Sequence, residues 1–212
     1  RMDVRELERM CAEMQADAAH PQGVPLIVCA TSGTTVLGAF DDVAAIAEVC
    51  RKYDLWLHVD ASWGGAAAFL PHDAPERSVL AGLENAHSIT INPHKLLGVT
   101  HQCSFLLVHD KSVLIPPSHS DGGYLFHVPA EDALDMATKT LGCGRRGDAL
   151  KFYLVWLRYG TQGLGDHIAH GLRMAQALWQ RLQRIPSLEL GPHADPLFLQ
   201  ICVRPREQSV RA

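Results

Sequence analysis

Four short apolar runs, each closed by turn-forming residues and separated by stretches with helical periodicity, constrain this chain more than any other feature. They are Pro25-Leu26-Ile27-Val28-Cys29-Ala30, Leu55-Trp56-Leu57-His58-Val59-Asp60, Ser88-Ile89-Thr90-Ile91 and Cys103-Ser104-Phe105-Leu106-Leu107-Val108. Runs this short and this continuously apolar suit parallel strands covered on both faces. Ahead of them, Val4, Leu7, Met10, Cys11 and Met14 recur at helical spacing, so residues 3 to 19 form an amphipathic helix that Pro21-Gln22-Gly23 ends. Asp41 or Asp42 is placed to cap a second helix carrying Val43, Ile46, Cys50 and Tyr53 on one side. Strands alternating with helices of this length define an α/β sheet.

After the second strand the sequence gives a loop with Gly64-Gly65, then a short helical stretch around residues 75 to 84. Residues 116 to 140, with Pro116-Pro117 and Gly122-Gly123, read as a long loop of a length that is usually functional or mobile. Asp148 to Tyr159 and Gly163 to Ile185 are helical by pattern, the second with a stripe of Leu164, Ile168, Leu172 and Ala175. Two last strands, Leu188 to Leu190 and Phe198 to Val203, begin a smaller unit. The expected division is residues 1–145 for the larger domain, 146–186 for connecting helices and 187–212 for the start of the smaller one. Both ends read as cut from something longer.

A net charge of -4 gives no electrostatic reason to bind nucleic acid or an anionic membrane surface. No apolar run approaches the roughly 20 residues that span a bilayer. The six cysteines are scattered without a C-x-x-C pair, and the histidines lack metal-ligand spacing. A disulfide framework and a metal site are therefore not expected, and a reducing cytoplasm fits the thiols best.

In open α/β sheets, ligands bind beyond the carboxyl ends of the strands. Thr31, Asp60 and Lys95 each fall at or just past the end of a different strand, so one crevice can gather all three. Asp60 ends an apolar run, where a carboxylate needs a cationic or hydrogen-bonding partner. Alone, it is more often a helix cap, and a single lysine is more often a surface lysine. Their ordered combination with Thr31-Ser32-Gly33-Thr34-Thr35 reverses those odds. A nucleotide-binding domain is the weaker alternative, because neither G-x-G-x-x-G nor G-x-x-x-x-G-K-[ST] occurs at any strand end.

Ala30-Thr31-Ser32-Gly33-Thr34-Thr35, Trp56 to Gly65 and Asn92-Pro93-His94-Lys95 resemble the group II pyridoxal-phosphate-dependent amino-acid decarboxylases. Gln102-Cys103-Ser104, Tyr124-Leu125-Phe126 and Cys143-Gly144-Arg145-Arg146 extend the likeness over nearly the whole chain, nearest the glutamate, cysteine-sulfinate and aspartate branch. The resemblance implies the fold type I, aspartate-aminotransferase-like large domain with a mainly parallel sheet, plus the start of a small C-terminal domain. It implies pyridoxal 5'-phosphate held by Lys95 as a Schiff base, with Asp60 at the ring nitrogen and Thr31 near the phenolic oxygen. Asn92 and His94 would hold the phosphate end or line the site, and Ser62 stands where many relatives carry an alanine against the ring. A small, acidic amino acid would lose its α-carboxylate. Relatives place on a mobile loop a tyrosine that reprotonates the product; between residues 116 and 140 the only tyrosine is Tyr124.

The resemblance further implies a homodimer when full length. It puts a ring-stacking histidine before Arg1 and a substrate-binding arginine after Ala212, so the 212 residues alone are not expected to turn over. The alternatives are the same cofactor with a different outcome (oxidative deamination to an aldehyde, or an aromatic substrate) and a catalytically silent paralogue. Of the remaining polar residues, His58 shares a strand face with Asp60 and either orients it or is a satisfied core histidine. Arg145-Arg146 is equally a carboxylate- or phosphate-binding pair and a structural ion pair. Trp56, Trp156 and Trp179 read as packing residues, and Trp63 as a residue beneath the site.

Overall fold

The computed structural model describes residues 1–16, 25–114, 139, 146–191, 196 and 198–206. Helix α1, Val4–Ala16, starts where the Asp3 carboxylate accepts the N–H groups of Arg5 and Glu6. Helix α2, Val43–Lys52, is capped by Asp42, whose Oδ1 accepts the Ala45 N–H at 3.1 Å. Of the two candidate caps, Asp41 does something else. Its Oδ2 accepts the Thr31 N–H at 2.9 Å, its Oδ1 the Met2 N–H at 2.7 Å, and its own N–H donates to the Thr31 carbonyl.

Strands β1 (Ile27–Thr31), β2 (Trp56–Asp60), β3 (Ser88–Ile91) and β4 (Phe105–Val108) form one sheet in that order. The first three are parallel and β4 runs antiparallel to β3. β1 starts later than its apolar run, at Ile27, because Pro25 brings no N–H to a ladder. β4 also starts late: the backbone of Cys103 is taken up by His94 instead. One face of the sheet is closed. Val28, Ala30, Leu57 and Val59 are buried against Val43, Ile46 and Cys50 of α2, with Cys11 of α1 in the same cluster. Among the described residues the other face is open: Ile27 is 54% exposed and Leu106 55%, and Cys29 is exposed.

A second core lies under the carboxyl ends of the strands, where Phe40, Ala67, Leu97 and Cys103 meet Leu164 and Ile168. The last two belong to α3, Asp148–Leu182, which contains Gly160 at φ 66 and ψ 177, between the two expected helices. Gly64–Phe69, read as loop, is a short 3-10 helix, and the helical stretch near 75–84 is two such turns, Pro75–Leu80 and Leu83–Asn85. A small antiparallel pair joins β5 (Leu188–Leu190) to β6 (Val203–Pro205). The expected strand from Phe198 is thus shorter. Phe198 packs edge-on against Phe40, and Gln200 donates to the carbonyls of Thr34 and Thr35, so the chain there serves docking instead of a ladder.

Candidate active site

Parallel pairing places Thr31 opposite Asp60 and Asp60 opposite Thr90, so three polar side chains form a row across the carboxyl end of the sheet. The loops beyond are drawn together by close backbone contact. Ser32 N–H donates to the Asp60 carbonyl and Gly64 N–H to the Ser32 carbonyl. Gly33, at φ +96, lies so near Gly64 that an added Cβ would stand 2.9 Å from the Gly64 nitrogen. The turn after β1 and the turn after β2 therefore fit each other only as glycines.

Asp60 is exposed, and its Oδ1 accepts the Ser62 N–H at 3.0 Å. Burial, the largest single influence, pushes the carboxyl pKa up, and hydrogen bonds from the hydroxyl and N–H of Ser62 pull it down. The charge of Lys95 and that of His58 when protonated add to the same effect, so the Asp60 carboxyl is held below its ordinary value. Asp60 is thus poised as a carboxylate with an ammonium nearby. The structure brings together four of the residues singled out from sequence: Thr31, Asp60, Ser62 and Lys95.

Lys95 sits in a turn that follows β3. Its N–H donates to the Asn92 carbonyl at 2.9 Å, and Val99 N–H donates to the Pro93 carbonyl at 3.2 Å. Pro93 is fully buried, and it restricts the backbone of Asn92 before it. The His94 ring lies with Nδ1 at 3.1 Å from the Cys103 nitrogen and 2.5 Å from its carbonyl oxygen, stacked edge-on against His101. That leaves Nε2 as the His94 atom for a ligand. Tyr124 and Arg145 lie outside the described residues, and Arg146 is exposed.

His58 does not bond to Asp60. Its Nδ1 lies 2.8 Å from Ser88 Oγ and its Nε2 3.3 Å from Thr90 Oγ1, while Trp56 Nε1 donates to Ser88 Oγ at 2.9 Å. Trp56, Ser88 and Thr90 were not singled out as site residues by sequence. The signal was there: Trp56-x-His58-x-Asp60 and Ser88-x-Thr90 put polar groups at alternate positions of two strands, hence on one face. Trp63 does lie by the site, its ring 3.3 Å from where a Gly33 Cβ would be.

Three buried polar atoms of this region have no hydrogen-bond partner among the described residues: Ser32 Oγ, Asn92 Oδ1 and Trp63 Nε1. Such atoms are costly unless a ligand meets them. The indole N–H is a donor, and a carboxamide turned over presents one too. Donors of that kind suit phosphate or phenolic oxygens, a lysine suits an aldehyde, and a carboxylate suits a protonated ring nitrogen. The residues present fit pyridoxal phosphate.

That chemistry coincides with what the chain resembles. Residues 1–204 match the family described as the pyridoxal-dependent decarboxylase conserved domain, and the chain belongs to that family. It is 42% identical over 203 residues to the L-aspartate decarboxylase of Metarhizium robertsii, covering 95% of this chain and 39% of that protein. It is also 42% identical over 205 residues to the cysteine sulfinic acid decarboxylase of Homo sapiens, covering 95% of this chain and 40% of that one. The crystal structure of Oryza sativa TDC with PLP and tryptamine superimposes with a TM-score of 0.84 at 32% identity, over 98% of this chain and 41% of the other. The chain therefore spans about 40% of the length of the relatives it matches.

Proposed function

We propose that the whole protein is a pyridoxal-phosphate-dependent carboxy-lyase that removes the α-carboxylate of a small acidic amino acid: glutamate, aspartate or cysteine sulfinate. The observation that carries the reading is Asp60, held as a carboxylate at the end of β2, in one row with Thr31 and with Lys95 close enough to lower its pKa. Pyridoxal phosphate, when bound, supplies a protonated ring that takes up the electron pair left as a carboxylate departs. Asp60 would keep the ring nitrogen protonated, and Lys95 would hold the cofactor's aldehyde carbon. Thr31 would hydrogen-bond the phenolic oxygen, with its backbone fixed on both sides by Asp41. Ser62 orients the Asp60 carboxylate from the following turn. Asn92 and the free nitrogen of His94 would meet the phosphate end.

The acidic substrate class is supported by the two relatives named above, one acting on aspartate and the other on cysteine sulfinate. A homodimer in the cytoplasm, with residues 187–212 opening a small C-terminal domain, belongs to the same proposal. The test is a substrate screen of the full-length holoprotein with glutamate, aspartate, cysteine sulfinate and an aromatic amino acid. Carbon dioxide and the matching amine from one acidic substrate are expected. Aldehyde and peroxide, or turnover of the aromatic substrate alone, would contradict the proposal.

A further inference from the structure

The polar array behind Asp60 has an internal logic that fixes where its protons lie. An indole N–H only donates, so Ser88 Oγ accepts from Trp56 Nε1 at 2.9 Å. Ser88 is buried, 6% exposed, and its second contact is His58 Nδ1 at 2.8 Å. If His58 also donated to Ser88, the serine proton would be left buried and unmet, which is the costly arrangement. Ser88 therefore donates to Nδ1, and the proton of the neutral imidazole lies on Nε2. From there it donates to Thr90 Oγ1 at 3.3 Å. Thr90, having accepted from His58, still has its own hydroxyl proton to give. Its register partner on β2 is Asp60.

We infer that His58 is a positioning residue for Asp60, acting through Thr90. The chain of donors from Trp56 through Ser88 and His58 orients the Thr90 hydroxyl so that its proton points along the sheet toward the Asp60 carboxylate. Ser62 holds one carboxylate oxygen, and Thr90, standing across the ladder from Asp60, is the hydroxyl placed to meet the other. This goes beyond the proposed reaction but rests on the reading that Asp60 meets that nitrogen. The alternative for His58 is structural: a polar residue satisfied within the sheet, with no bearing on Asp60. The two readings differ in what they expect of a folded variant. Outer-layer partners of a site typically change affinity or rate by roughly 10- to 100-fold when removed, whereas a structural residue changes stability and leaves the surviving native site as it was.

The test uses the full-length holoenzyme as wild type, His58→Leu, His58→Gln and Asp60→Asn. It measures kcat and KM, the affinity of the apoprotein for pyridoxal phosphate by absorbance titration, and the melting temperature of each apoprotein. Leucine removes both the acceptor for Ser88 and the donor for Thr90, whereas glutamine keeps one of each. For His58→Leu, kcat and cofactor affinity are expected to fall about tenfold with KM within about twofold, the lower part of the range for outer-layer partners. His58→Gln is expected to regain most of both. A folded His58→Leu enzyme with wild-type kcat and cofactor affinity, or one altered only in melting temperature, overturns the inference. So does a glutamine variant no better than leucine. Wild-type turnover in Asp60→Asn would sink the underlying reading and this inference with it; an inactive Asp60→Asn beside an unaltered His58→Leu sinks this inference alone. Should His58→Leu not fold, Ser88→Ala takes its place. It removes the proton that fixes Nδ1, so a several-fold loss of kcat and cofactor affinity at unchanged KM is expected, and unchanged values contradict the inference.

Discussion

On one face of the sheet Val28, Ala30, Leu57 and Val59 are packed against α2; on the other, offset by a single residue in the same strands, lie Cys29, Thr31, His58 and Asp60. The closed face is uniform and apolar, and what it contributes is cohesion: burial there scales with area and needs no particular geometry. The second face is built the opposite way. Its polar groups are joined into named hydrogen bonds, from Trp56 to Ser88, His58 and Thr90, and it ends in the Thr31–Asp60–Thr90 row. Because side chains alternate, a strand of five residues serves both purposes at once. The closed face sets the register, and the register sets which residues stand in the row.

Substitutions should separate these two roles. The largest effect is expected from the polar row: Asp60→Asn in the full-length enzyme should lower kcat by on the order of a hundred- to a thousandfold while the protein stays folded. Steady-state kinetics beside a melting curve checks both halves. Next comes thiol reactivity. Burial pushes the Cys50 thiol up to about 11, while Cys29 lies exposed on the other face. A thiol reagent at neutral pH should label Cys29 at least about a hundred times faster than Cys50, since the thiolate is the reacting form. Peptide mapping of a labelling time course reads this directly, and equal rates would mean the faces are not as different as described.

The closed face is expected to dominate stability. Leu57 is fully buried, so Leu57→Ala should cost about 3 kcal/mol in urea unfolding. Ile27→Ala, on the open face at 54% exposure, should cost under about 1 kcal/mol. The smallest effect concerns Ser62. Its hydroxyl helps to hold the Asp60 carboxyl below its ordinary value, so Ser62→Ala should move the Asp60 titration upward, as followed by carboxyl NMR. The sign follows from linkage. A carboxyl depressed in the folded state contributes stability above its unfolded pKa near roughly 3.9 and loses it as pH falls through the folded value. The variant has less of this contribution to lose on acidification.

Much of this was readable from sequence because two periodicities carry it. The strand end at Asp60 and the whole of β3 came directly from apolar runs closed by polar residues. Thr31 and Asp60 meet because both end parallel strands in register. What escaped was decided by contacts distant in sequence. The strand expected from Phe198 is cut short because Phe198 and Gln200 dock on Phe40 and the Thr34–Thr35 turn, more than 150 residues away. Gly64-Gly65 opens a 3-10 helix because the chain must pass hard against Ser32 and Phe40 there. The sequence around His58 fits two roles equally, since its partners are on β3 and only pairing reveals them.

The most direct test of the account is to locate the cofactor covalently. The full-length holoprotein would be treated with borohydride, digested, and its peptides mapped by mass spectrometry. The expected result is pyridoxyl label on Lys95 alone, with the visible absorbance of the holoprotein lost in step and with no label in Lys95→Ala. Label on Lys52, Lys111 or Lys151 instead, or a holoprotein whose absorbance borohydride leaves unchanged, would contradict a site built from Lys95 facing the Asp60 row.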